Sequence, residues 1–125
     1  MIPQEKRNVA VLGASPKPDR YSNQAVRLLA KLDYRPLPVN PAFPEIEGMT
    51  CFPNLAAIDA PVHTVTLYLG TARSTPLIDE ILAVKPQRII MNPGAENEDL
   101  AAAASGAGIE VVEACTLVML RTGLF

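Results

Sequence analysis

Residues 8–32 read NVAVLGASPKPDRYSNQAVRLLAKL, and this stretch decides the fold class. Residues 8–14 (NVAVLGA) form a continuous run of small apolar and β-branched side chains that includes one glycine. A strand with one solvated face would alternate in polarity; an unbroken run is the pattern of a strand buried on both faces. Residues 22–32 (SNQAVRLLAKL) place apolar side chains at 25, 26, 28, 29 and 32, which is helical spacing, with Ser22 as the predicted N-cap. A buried strand passing through a loop into a helix is the opening of a βαβ unit.

The alternation continues along the chain. Residues 35–40 (RPLPVN) read as a short strand that Pro36 and Pro38 push to an edge, because neither can donate to a ladder. A loop over 41–53 is expected to hold one short strand near 50–52, with a helical turn at 54–58. Residues 62–69 (VHTVTLYL) are the second clear strand. A helix follows over 74–84, capped by Ser74 or Thr75 with Pro76 in its first turn. Then come a strand at 88–91, an alanine-rich helix at 96–105, a last strand at 109–113 and a short closing helix in 116–125. This order predicts an α/β protein: one domain over 1–125, built on an open parallel sheet of five or six strands with helices on both faces.

Composition narrows the function classes. Twelve prolines in 125 residues exclude a long helical bundle or coiled coil. Three tyrosines, three phenylalanines and no tryptophan argue against a stacking platform for single-stranded nucleic acid. No apolar run reaches the roughly 18 residues of a membrane span, and MIPQEKRN lacks the apolar core of a signal peptide, so a cytoplasmic protein is expected. Cys51 and Cys115 do not make a disulfide scaffold, and with His63 as the single histidine no metal site is expected. Charge is uneven: residues 1–36 carry seven basic and three acidic side chains, residues 37–125 four and ten. An anionic ligand is therefore drawn to the first third of the chain, although the excess is too small for duplex nucleic acid.

In an open parallel sheet, ligands lie beyond the carboxyl ends of the strands. The residues just after each strand are Gly13-Ala14-Ser15-Pro16, Val39-Asn40-Pro41, Gly70-Thr71-Ala72 and Asn92-Pro93-Gly94. The first loop, GASPKPDRY over 13–21, leads into a helix whose first N–H groups suit phosphate, and Lys17 and Arg20 add charge, with Tyr21 and Ser22 at the helix start. It is neither G-x-G-x-x-G nor a P-loop, because Gly13 is its only glycine. Asn40 stands where an acidic residue would hold a ribose diol, which counts against ordinary NAD binding.

The run VAVLGASPKPDRYSN, the later PLPVNP and a last strand ending near Cys115 resemble the small stand-alone CoA-binding proteins. These share a Rossmann-like fold with the first domain of the succinyl-CoA synthetase α subunit. The likeness spans residues 6–120. It implies coenzyme A or acyl-CoA as cofactor, lying across the strand ends. Gly13, Ala14, Ser15 and Lys17 would meet its phosphates; Val39, Asn40 and Pro41 would flank the adenosine end. Thr71, Thr75, Asn92 and Gly94 would be further contacts. Ala42 stands where many relatives have lysine, so one 3′-phosphate contact would be missing or supplied by Lys17 or Arg20. The segment Met91-Asn92-Pro93-Gly94 replaces a W-x-Q-x-G of relatives.

No nucleophile–base pair is evident, and His63 falls at the wrong end of its strand for the crevice. Cys115 reads as a small buried hydrophobe, or alternatively as a thiol for a mixed disulfide with CoA. Asp79, Glu80, Glu96, Glu98 and Asp99 read as helix-surface charges. A non-catalytic CoA-binding module is therefore expected. An NAD(P)-binding oxidoreductase or redox-regulatory domain on the same fold is the alternative, and a partner-binding domain without a ligand is a third reading. Pro16, Pro18, Pro41 and Pro93 would hold the crevice preformed, while Pro3, Pro61 and Pro86 precede strands.

Overall fold

The computed structural model describes residues 7–125; Pro3 and Lys6 lie outside the described residues. Strand β1 (Asn8–Leu12) leads through the first loop to helix α1 (Tyr21–Lys31) and strand β2 (Arg35–Val39). A small antiparallel hairpin, β3 (Glu45–Ile46) and β4 (Met49–Thr50), and a 3-10 turn at Leu55–Ala57 precede β5 (Thr64–Leu67). Then follow α2 (Thr71–Ser74), α3 (Ile78–Ala83), β6 (Arg88–Met91), α4 (Glu98–Gly106), β7 (Glu110–Glu113) and α5 (Thr116–Thr122). The main sheet has five parallel strands in the order β2-β1-β5-β6-β7.

The unbroken apolar run of β1 has its cause in this order. The strand is paired on both edges, with Ala10 against Leu37 on one side and Val65 on the other, and Val9 to Leu12 are buried. Its two faces feed different cores. Ala10 and Leu12 join Val65, Leu67, Ile89 and Met91 under Ile81, Leu100 and Ala104 of α3 and α4. Val9 and Val11 pack instead with Val26 and Leu29 of α1 and Leu120 of α5. Helices therefore cover both faces, as the alternation predicts.

Edge strand β2 holds its prolines where they cost least. Arg35 N donates to Arg7 O and Gly13 N to Val39 O, so residues 35, 37 and 39 face β1. Pro36 and Pro38 face outward, where no donor is needed. The end of that outer edge is covered by Phe52, whose N–H donates to Pro38 O. The strand expected near 50–52 is thus split between two-residue β4 and this bridge.

Three helix starts differ from expectation; α4 begins at Glu98 rather than at 96, with Asn97 as its N-cap. Helix α1 begins at Tyr21 with Arg20 at the N-cap position, and Ser22 lies inside the first turn, buried. The tight turn in which Arg20 N donates to Lys17 O brings the chain into the helix earlier. The helix expected over 74–84 starts at Thr71 and is broken into α2, a 3-10 turn at Thr75–Leu77 and α3. Pro76 lacks the N–H that an α-helical bond needs there, and the tighter turn takes up the break.

Candidate functional site: a cleft at the strand ends

The chain runs outward from β1 to β2, then returns across β1 to β5. Connections leave in opposite directions between β1 and β5, and this is where an open sheet splits into a crevice. A cleft of about 590 Å³ opens there, within the size range of small-molecule sites. Its floor is the carboxyl ends of β1 and β5: Leu12, Gly13 and Ala14, with Tyr68 and Leu69. One wall is Ser15, Arg20, Tyr21 and Ser22; another is Val39, Asn40 and Pro41; a third is Pro53, Asn54, Arg73, Leu77 and Glu80, with Pro93 at the rim.

Gly13 has φ +92°, and a Cβ there would meet Leu69 Cδ2 at 2.9 Å and the Tyr68 carbonyl carbon at 3.3 Å. Only glycine lets the first loop pass this close to β5. The loop is then fixed by side chains behind it. Asn23, fully buried, donates to Ser15 O at 3.0 Å and to Glu47 Oε2 at 3.0 Å, while its Oδ1 accepts from Arg27 Nε at 2.8 Å. Arg27 Nη2 in turn donates to Pro18 O. The loop after β2 is tied to the same framework by Asn40, whose Nδ2 donates to Ala14 O and whose Oδ1 accepts from Ala42 N, both at 2.8 Å.

The electrostatics of the first wall suit an anion. The first turn of α1 has no side-chain cap and no acidic residue. Its free N–H groups and dipole therefore stay available. Arg20 adds a charge on the same wall and Arg73 another from α2.

Ten residues singled out from sequence meet in this cleft: Gly13, Ala14, Ser15, Arg20, Tyr21, Ser22, Val39, Asn40, Pro41 and, at the rim, Pro93. Pro16 and Lys17 sit outside its lining, Lys17 exposed with its N–H donating to Ser15 Oγ. Gly70 and Thr71 start α2, and Thr71 Oγ1 donates to Glu96 O. Thr75 Oγ1 accepts from Asn97. Asn92 is buried and spent on structure: Nδ2 donates to Thr66 Oγ1 and Leu67 O, and Oδ1 accepts from Thr116 N. Gly94 N donates to Glu96 Oε1. Thr71 and Thr75 tie the α2–α3 segment to the start of α4, Asn92 ties β6 to β5 and α5, and all five positions, Gly70 and Gly94 included, stand beside the cleft lining rather than in it.

Sequence reasoning missed Pro53, Asn54, Tyr68, Leu69, Arg73, Leu77 and Glu80. Glu80 is a correction: it reads as a surface charge, yet it lines the cleft and accepts from Leu55 N at 3.3 Å. No local signal marks it, because the contact is between elements 25 residues apart. Burial pushes the Tyr68 phenol up to about 12, against the opposing effect of the Thr66 and Thr116 hydroxyls. The phenol is therefore neutral at working pH, and among the described residues its buried oxygen has no hydrogen-bond partner. Cys115 is a partly buried free thiol at the start of α5, near Tyr68.

Among the described residues, no helix is long and apolar enough to cross a membrane. The chain closely matches a solved structure of an uncharacterised protein at 38% identity, covering 96% of this chain and 98% of the other with a TM-score of 0.89. It is 28% identical over 98 residues to the uncharacterised protein YneT of Bacillus subtilis, across 78% of this chain and 73% of that one. It shares its fold, at 22% identity and a TM-score of 0.72, with part of an acetyl-coenzyme A synthetase of Ca. Korarchaeum cryptofilum, covering 86% of this chain and 25% of the enzyme. Residues 7–121 match the family described as CoA binding domain. With that match spanning nearly every described residue, the chain belongs to the CoA-binding domain family.

Proposed function

We propose that this protein binds coenzyme A or an acyl-CoA in the cleft at the carboxyl ends of β1, β2 and β5, as a non-catalytic binding or regulatory module of the cytoplasm. The observation that carries the reading is the first wall. The uncapped N-terminus of α1, the Gly13–Ser15 backbone and Arg20 converge on one side of a cleft in a chain of the CoA-binding domain family. Diphosphate would lie against that helix end, where unpaired N–H groups and the dipole favour negative charge. Arg20 would take the role that a lysine at position 42 has in relatives, since Ala42 offers no charge. The adenosine end would lie by Val39, Asn40 and Pro41.

A redox role with NAD(P) has less support. Asn40 is held by Ala14 O and Ala42 N, and its neutral amide is a weaker acceptor for a ribose diol than the acidic residue that such sites carry. His63 precedes β5, at the opposite end of the sheet from the cleft. Titration calorimetry with CoA, dephospho-CoA and NADP tests the reading. CoA is expected to bind most tightly, and NADP binding as well as CoA would overturn it.

A further inference from the structure

The cleft carries one feature at odds with a purely anionic ligand. Among the described residues that line it, Glu80 is the single acid. It lies on α3, whose side of the sheet is opposite that of α1 and its anion-favouring N-terminus. Its carboxylate is not loose: Oε2 accepts from Leu55 N at the start of the 3-10 turn, and the residue is half-buried. Around it the same wall offers Leu77 and Pro53, apolar surfaces of the kind that pack against a flat ring. Arg73 shares this wall, but the carboxylate itself is matched by a group that donates hydrogen bonds from an aromatic ring.

We infer that Glu80 reads the base of the ligand, accepting the exocyclic amino group of a 6-aminopurine and rejecting a 6-oxopurine. The inference rests on the CoA reading and adds a residue that selects adenine. A 6-oxo group would place an acceptor oxygen against a carboxylate that can only accept, leaving both without a donor. Glutamine at this position would keep an oxygen for Leu55 N and present an amide that donates to a 6-oxo group. Base choice, rather than folding, is therefore the property that Glu80→Gln should change.

The test is a four-way comparison by titration calorimetry: wild type and Glu80→Gln, each with CoA and with its deaminated counterpart carrying hypoxanthine. Wild type is expected to favour CoA by about tenfold or more, the cost of one unmade buried hydrogen bond. In Glu80→Gln that preference should collapse toward unity, with the melting temperature of the free protein little changed. Equal affinity of wild type for the two ligands, or a preference that survives the substitution, overturns the role of Glu80 and leaves the CoA reading standing. Failure of wild type to bind either ligand overturns the CoA reading itself, and the base assignment with it.

Discussion

The side chain of Asn40 reaches across from the end of β2 to the end of β1, donating from Nδ2 to the carbonyl oxygen of Ala14 at 2.8 Å. Its other atom accepts from Ala42 N, so one amide sets the spacing between two walls of the cleft. Asn40→Ala removes both bonds and is expected to cost about 1–3 kcal/mol of stability. Asn40→Asp is the sharper probe, because it faces the Ala14 carbonyl with an acceptor. Chemical denaturation should rank wild type above both variants, and an aspartate variant as stable as wild type would contradict the assigned contact.

Gly13 is the second constraint on the same framework. With φ +92° and Leu69 Cδ2 at 2.9 Å from where an alanine methyl would sit, alanine there is strained by backbone and by contact. Gly13→Ala is expected to lose about 1–3 kcal/mol and to weaken CoA binding, as the loop backs away from β5. Denaturation midpoints and binding isotherms read the two effects separately.

Arg20 and Lys17 stand three residues apart, yet only Arg20 lines the cleft. Arg20→Ala should weaken CoA binding by roughly tenfold at low salt, the size of one exposed charge-assisted contact. The loss should shrink as salt screens the pair. Lys17→Ala should have the smaller effect, and the reverse ranking would move the phosphate site toward the outer loop.

His63 supplies a pH dependence unrelated to the ligand. Burial, with the Arg7 and Arg88 guanidinium groups nearby, holds its imidazole below the ordinary histidine value, despite the opposing pull of Glu110. The folded protein therefore binds fewer protons than the unfolded chain once the pH falls below about 6.5. The stability linked to this group is complete above that pH and is lost as pH drops toward the folded-state pKa. His63→Gln should flatten this part of the melting curve series between mildly acidic and neutral pH; an unchanged slope would show that other groups carry it.

The parts of the molecule legible in the sequence are those decided within a few residues. The buried run at β1, the edge prolines of β2 and the apolar spacing of α1 each state their own conformation, and together they dictate a parallel sheet. Glycine and proline also mark where β1 and β2 end, which is why Gly13 to Ser15 and Val39 to Pro41 are readable as cleft residues. The third wall is not readable this way. Asn54, Leu77 and Glu80 come together only because the 3-10 turn at Leu55–Ala57 packs against α3, and no spacing in the sequence encodes that meeting. Asn92 shows the converse. Its position after β6 suggests a ligand contact, but Thr66, Leu67 and Thr116 use its full amide.

The most direct measurement of the central claim is thermal stability with nucleotides at millimolar concentration. A ligand that binds only the folded protein raises its stability by about 2.7 kcal/mol when present at a hundred times its Kd. Coenzyme A is predicted to raise the melting temperature more than dephospho-CoA, NAD or NADP, because on the proposed reading its extra phosphate would meet Arg20 in the cleft. No shift with millimolar CoA would contradict the account.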